Sequence, residues 1–218
     1  MKIITMIAEK GGASKTTLAR HLAVAAHRDG HLVACIDTDG MGGLRQWGER
    51  RGRDPVVIAE ASTKTIHLDQ AVEKLRAAGA AFCIIDTAGH FSAVALHAAR
   101  IADLVIVPCR PTPDDLDAVW QTVGELRRYE VPYSVVVSCA PTNTRKPETD
   151  AMALLASQNV AVAPVVVHEK RAVPMSGLTG ETVFEMADLS AAERKSVDEF
   201  QDLWTWAATK LVKEPALA

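Results

Sequence analysis

Apolar residues along this chain fall into two alternating patterns. The first is the unbroken run: Ile3-Ile4-Thr5-Met6-Ile7-Ala8, Leu32-Val33-Ala34-Cys35-Ile36, Phe82-Cys83-Ile84-Ile85 and Leu104-Val105-Ile106-Val107. Short runs that do not alternate with polar residues mark strands buried on both faces, as in a parallel sheet. They predict strands near 2–8, 32–37, 82–86, 103–108, 133–139 and 161–167. The second pattern has helical period. It predicts helices over 16–28, stopped by Gly30; over 66–78, with Leu68, Val72 and Leu75 on one face and Gly79 as the stop; and over 114–129. The last of these opens on Asp114 and Asp115 and closes on Arg127 and Arg128, as the helix dipole favours. A short helix fits 148–158, and a final one opens on the capping box Ser190-Ala191-Ala192-Glu193 and runs to about Val212. Strand and helix in alternation predict an α/β, doubly wound, mostly parallel sheet, Rossmann-like, with helices on both faces and the ligand site at the strand C-terminal ends. One domain over 1–218 is expected, with Lys213 to Ala218 as a frayed tail.

At 218 residues and 48% hydrophobic content the chain can bury one substantial core. Its formal net charge of −3 excludes a uniformly basic coat, so contact with nucleic acid has to come from a local patch. Cys35, Cys83, Cys109 and Cys139 fall in or at the end of predicted strands, without C-x-x-C spacing, and read as buried small hydrophobes of a reducing compartment. No run of about eighteen apolar residues occurs and the chain enters a strand at once, so neither a spanning helix nor a signal peptide is expected, and the location is expected to be cytoplasmic.

Chemistry concentrates between the first strand and the first helix, where Glu9 to Thr17 read E-K-G-G-A-S-K-T-T. Small residues let backbone N–H groups approach phosphates at a positive helix end. A lysine reaches the β/γ-phosphates and a hydroxyl ligates Mg²⁺. Here those residues are Lys15 and Thr16, with Gly11, Gly12, Ala13, Ser14 and Thr17 completing the cradle. The usual pattern G-x-x-x-x-G-K-[ST] is not matched, because Ser14 precedes Lys15 and Glu9 stands at the earlier glycine position. Ser14, at the mouth of a helix, is expected at negative φ. Three further segments stand at predicted strand ends: Asp37-Thr38-Asp39-Gly40, Asp86-Thr87-Ala88-Gly89, and Pro108 followed by Arg110-Pro111-Thr112-Pro113-Asp114-Asp115.

With Lys10 ahead of the glycines, K-G-G-x-x-K-T-T resembles the deviant Walker-A P-loop ATPases of the ParA/MinD class. The other three segments are similar to that class's D-x-D-P-Q, Walker-B and V-x-x-P-x-x-P-S-P-x-D elements, with Gly40 and Met41 replacing the proline and glutamine. The resemblance implies ATP and Mg²⁺ as cofactors and hydrolysis of ATP to ADP and phosphate. It implies that Lys10 acts in trans across a homodimer formed around ATP, that Asp39 orients the attacking water, and that Asp37 and Asp86 join Thr16 in the Mg²⁺ shell. Strand-end carboxylates that merely cap turns would read the same. Asn143 and Arg145, after the fifth strand, are the adenine candidates, and Val173-Pro174-Met175 could form an apolar lid. The absence of N-K-x-D leaves ATP over GTP as an inference from the family.

Lys170, Arg171, Arg194 and Lys195 match positions where ParA-type relatives bind DNA without sequence preference, although a solvated helix face would look alike. The resemblance also implies a small centromere- or cargo-binding partner that stimulates hydrolysis, and nucleoid association of the ATP-bound form. The leading expectation is therefore a ParA-type switch that segregates or positions a plasmid, chromosome region or cargo. Two alternatives stand beside it: a MinD-like membrane switch and a metabolic ATPase on the same loop. Phe200, Leu203, Trp204, Ala207 and Leu211 form an apolar stripe, but Glu199 and Asp202 beside it favour docking on the core over a membrane contact.

Overall fold

The computed structural model describes residues 1–59 and 64–212, so the expected tail at 213–218 lies outside the described residues. Its elements follow the chain as β1 (Lys2–Met6), α1 (Lys15–Arg28), β2 (Val33–Asp37), α2 (Gly43–Arg51), β3 (Val56–Ala59), α3 (Thr65–Ala77), β4 (Phe82–Asp86) and α4 (Ala93–Arg100). Then come β5 (Leu104–Cys109), α5 (Pro113–Arg128), β6 (Tyr133–Ala140), α6 (Lys146–Ser157), β7 (Val167–His168), a short α7 (Ala172–Ser176) with a 3-10 turn, and α8 (Ala191–Val212). The strands form one sheet in the order β3-β2-β4-β1-β5-β6-β7, with every pairing parallel. This is the expected doubly wound α/β fold.

Alternation along the strands divides the core in two. Ile4, Met6, Cys35, Ile84 and Ile106 meet Leu18, Leu22, Trp47, Phe200 and Trp204 from α1, α2 and α8. Ile3, Ile7, Ile36, Ile85 and Val105 meet Leu68, Val72, Ala98, Val123 and Leu155 from α3 to α6. The stripe on α8 is spent here: Phe200, Leu203, Trp204, Ala207 and Leu211 are all buried. At roughly 1.5–3 kcal/mol for each large side chain, that docking uses the face a membrane contact would need. Among the described residues no helix is long and apolar enough to cross a membrane.

Four elements were not foreseen: α2, β3, α4 and α7. Helix α2 follows a glycine-rich turn and buries only Leu44, Trp47 and Arg51, too few positions to carry a period. It is held from outside. Arg51 pairs with Glu185 through two 2.8 Å hydrogen bonds, donates to the Gly180 and Asp54 carbonyls, and lies over the Trp47 ring. Burial alone would raise the Glu185 pKa; the Arg51 hydrogen bonds and charge overcome it and hold it below the usual range. Gly180 sits at φ +73, where an added β-carbon would meet the Arg51 backbone at 2.3 Å, so only glycine lets the chain pass. The strand expected over 161–167 shrinks to two residues. Ala161 and Ala163 exchange hydrogen bonds with Val135, and regular pairing resumes only at Val167 beyond a register shift.

His21 ties α1 to α8 and to the segment before it. Its ring stacks on Phe200 at 3.9 Å, Nδ1 lies 2.7 Å from the Thr17 carbonyl, and the Val183 N–H donates to Nε2. Nδ1 must therefore carry the proton and Nε2 none, the neutral tautomer. Burial, with the Arg20 charge adding to it, drives the His21 pKa well below its ordinary value. A depressed folded-state pKa means that the unfolded chain takes the proton first. Stability from this group is complete above the unfolded value near 6.5 and is lost as pH falls through it, at up to about 1.4 kcal/mol per pH unit. Urea unfolding at pH 7.5 and pH 5.5 should give a drop in wild type that exceeds the drop in His21→Phe by about 1 kcal/mol. Parallel drops would remove His21 as the acid-sensitive point.

Candidate functional site

Strand β1 lies between β4 and β5 at the middle of the sheet, and its C-terminal end passes through residues 9–14 into α1. The turn is tight enough to need two left-handed residues, Gly12 at φ +78 and Ser14 at φ +73. The expected negative φ at Ser14 is therefore corrected: the loop must turn its N–H groups inward, and that path puts the residue before Lys15 in the left-handed region, serine or not, at a cost of roughly 1–2 kcal/mol. Ser14 Oγ stands 3.0 Å from Cys139 Sγ at the end of β6, where Cys139 is itself at φ +50. Cys139 is only partly buried, unlike the fully buried Cys35, Cys83 and Cys109, so its reading as a core hydrophobe is corrected as well. Gly89 brings the loop after β4 against the cradle, since a β-carbon there would lie 3.3 Å from the Gly11 nitrogen.

The loop closes one end of a cavity of about 400 Å³, the size of a mononucleotide site. Gly11 to Leu18, Asp39, Gly89, Arg110 and Cys139 line it together with Val167, His168, Glu169, Lys170, Val173 and Pro174. Lys15 is buried and folds its ammonium onto the Ala8 and Lys10 carbonyls at 3.2 and 3.3 Å. Burial lowers its pKa, while Asp86 and Asp39 pull the other way. Lys10 turns outward with its side chain 43% exposed and its Nζ 3.3 Å from Asp115. Val173 and Pro174 do wall the pocket, but from helix α7 and not from a loop.

The oxygen ligands expected for Mg²⁺ meet beside Lys15. Thr16 Oγ1 donates to Asp86 Oδ2 at 2.5 Å, and Asp86 Oδ1 is buried without a partner. Burial pushes the Asp86 pKa up to about 7 against the Thr16 hydrogen bond. The Thr16 hydroxyl and the Asp86 carboxylate, with one of its oxygens orphaned, fit a hard divalent cation, which would also hold Asp86 ionised. Among the described residues no three His, Cys, Asp or Glu side chains form a metal cage, and Mg²⁺ held partly by phosphates needs none. Asp37 is occupied differently: its two oxygens accept the Asp39 and Arg45 backbone N–H groups, so it caps the turn and the start of α2. Burial raises its pKa, and those N–H groups oppose the shift.

Other expected site residues lie elsewhere. Asn143 and Arg145 are exposed and do not line the cavity, Arg145 being 87% exposed with Glu148 4.0 Å away. Lys170 is corrected from a DNA contact to a pocket wall, its side chain 8% exposed and its ammonium bonded to Glu199. Glu199 also bonds both the His168 Nδ1 and its backbone N–H. Glu148 Oε2 lies 2.8 Å from His168 Nε2, outside hydrogen-bonding geometry. Arg171, Arg194 and Lys195 are exposed. Ser190 hydrogen bonds, with the Arg171 charge as a smaller contribution, hold the Glu193 carboxylate low, which sets Arg171 beside the start of α8. Sequence reasoning missed Arg110, which fills a position that the family pattern leaves open, and His168, whose carboxylate neighbours are 20 and 31 residues away.

The family profile described as VirC1 protein matches residues 1–193. Protein virC1 of Rhizobium rhizogenes is 31% identical over 183 residues, 79% of this chain and 78% of that protein. Among solved structures, the MinD cell division protein of Aquifex aeolicus superposes with a TM-score of 0.76 at 17% identity, covering all of both chains. A putative plasmid partition protein of Borrelia burgdorferi bound to AMPPNP gives 0.71 at 15% identity, covering 96% of this chain and 99% of that one. By its motifs and the match along most of its length, this chain belongs to the VirC1 family, on the doubly wound fold that the MinD and plasmid partition structures share.

Proposed function

We propose that this chain is an ATP-dependent switch that dimerises around ATP, binds DNA through its C-terminal basic residues, and positions a replicon or cargo until a partner stimulates hydrolysis. The observation that carries this reading is the division of labour between two lysines of one loop. Lys15 is buried in the nucleotide pocket, while Lys10 is turned out to the rim, where a second copy could receive it. Lys15, Thr16 and the loop amides would hold the phosphates, Mg²⁺ would polarise them from Thr16 and Asp86, and Asp37 would contribute through water. Asp39, on the pocket wall, has its backbone fixed by Asp37 and is suited to orient a water. Relatives support the coarser reading: a carboxysome distribution maintenance protein A of Gloeobacter kilaueensis is 31% identical over 56% of this chain. The membrane alternative loses its main support with the burial of the α8 stripe.

If Lys10 acts in trans, wild type is a monomer with ADP and a dimer with ATP, and Lys10→Ala keeps nucleotide binding but loses ATP-driven dimerisation in size exclusion with light scattering. A Lys10→Ala variant that dimerises like wild type would make Lys10 a surface lysine.

Chemistry and binding should separate. Asp39→Ala is expected to accumulate as an ATP-bound dimer with turnover reduced on the order of 10² to 10⁴, the range for a lost acid–base or positioning group. Near-normal phosphate release would move the water-orienting role to another residue.

The dimer would carry two copies of Arg171, Arg194 and Lys195, so affinity for duplex DNA should appear only with ATP and show little sequence preference. Each phosphate contact adds about −0.9 to the slope of log K against log salt. Arg171→Ala should therefore flatten the slope by about two and weaken all sequences alike. Fluorescence anisotropy that detects no ATP-dependent binding at low salt would remove DNA from the mechanism.

A further inference from the structure

Arg110 occupies a position that its surroundings do not explain. It follows β5 directly, is exposed, and lines the nucleotide cavity beside the phosphate loop. Its Nη2 stands 4.0 Å from where a β-carbon on Gly12 would be, which sets the guanidinium beside the loop. Only its backbone carbonyl is bonded, by Cys109 and Thr112; among the described residues its guanidinium has neither an ion pair nor a hydrogen bond.

The electrostatics of that spot run the wrong way for an unpaired cation. Helix α1 begins there with its positive dipole end and no acidic residue in its first turn. Lys15 adds a full charge a few residues on. Asp115, the carboxylate facing this side of the loop, is already engaged by Lys10 and Thr112. Water solvates the exposed guanidinium, and an anion held between it and those positive charges would be attracted from both sides. A triphosphate also carries more negative charge than one divalent cation and one lysine cancel. The planar fork of arginine suits two phosphate oxygens, which a surface lysine would not match.

We infer that Arg110 is a phosphate ligand supplied in cis, binding the polyphosphate of the nucleotide within each monomer before any second copy arrives. The inference rests on the nucleotide-binding reading above. It gives the two outer cations separate work: Arg110 sets affinity in the monomer, and Lys10 governs association.

Isothermal titration calorimetry with ATP, in Mg²⁺ and in EDTA, tests this on wild type, Lys15→Ala, Arg110→Ala and Arg110→Lys. Wild type should bind and Lys15→Ala should not. Arg110→Ala should bind about ten- to a hundredfold more weakly, the usual worth of a charge-assisted pair, with an unchanged melting temperature. Arg110→Lys should recover part of the loss, and the loss should be larger in EDTA. Inorganic pyrophosphate should compete with a fluorescent ATP analogue on wild type and lose that ability on Arg110→Ala. Failure of wild type to bind ATP would sink the nucleotide reading itself. If wild type binds but Arg110→Ala matches it within twofold, the inference alone fails. A weakened Arg110→Ala on which pyrophosphate still competes normally would mean that Arg110 touches the base or ribose, and would overturn the phosphate assignment.

Discussion

The turn from β1 into α1 is the constraint on which the rest of the molecule depends. A central strand buried on both faces must end, reverse and start a helix within a few residues, and the Ser14 side chain does not cap the N–H groups at that helix start. Two left-handed residues make the turn, and one of them is a serine that bears the strain a glycine would avoid. What surrounds the loop can be read as its support. Gly89 gives it room on one side and Cys139 braces Ser14 on the other, while Asp86 receives the first hydroxyl of α1 from a neighbouring strand.

The parallel topology gathers the chemistry without further design. Asp37, Asp86, Arg110, Cys139 and His168 come from five different stretches of sequence, yet each sits at or just past the C-terminal end of a strand in one sheet. Buried parallel strands leave their carboxyl ends as one rim, so a residue placed there joins the site whatever its distance along the chain. Strands β4 and β5 flank β1, with β6 and β7 next in order, and the ends of β5, β6 and β7 contribute Arg110, Cys139 and His168 to the lining of one cavity.

How much was legible follows from the same physics. Strands β1, β2, β4, β5 and β6 announced themselves because burial on both faces leaves continuous apolar runs, and α3, α5, α6 and α8 because they present an apolar face at helical spacing, whereas α1 is buried nearly all round and was marked by the loop before it. The phosphate loop was legible because it needs particular residues at fixed spacing. Illegible were the parts held by contacts distant in sequence. Helix α2 depends on Glu185, β7 is cut short by a register shift, and part of the cavity wall comes from residues 167–174, far from Asn143 and Arg145. Lys170 misled for a related reason. A lysine in a basic tetrapeptide looks solvated until Glu199, on a helix 29 residues on, is folded against it.

The Glu199 contact has a thermodynamic side. Strand β7 has the nucleotide cavity on one side and α8 on the other, and one carboxylate grips His168 and Lys170 from a helix whose exposed beginning carries Arg194 and Lys195. Free energies that pass through such a shared element are symmetric. Whatever part of a nucleotide's binding energy goes into shifting β7 against α8 must return, by the same factor, as a change in nucleotide affinity when something binds to the far end of that helix. With only two residues of ladder to hold it, β7 is the least anchored strand of the sheet, and so the cheapest place for the two ends of the molecule to exchange information.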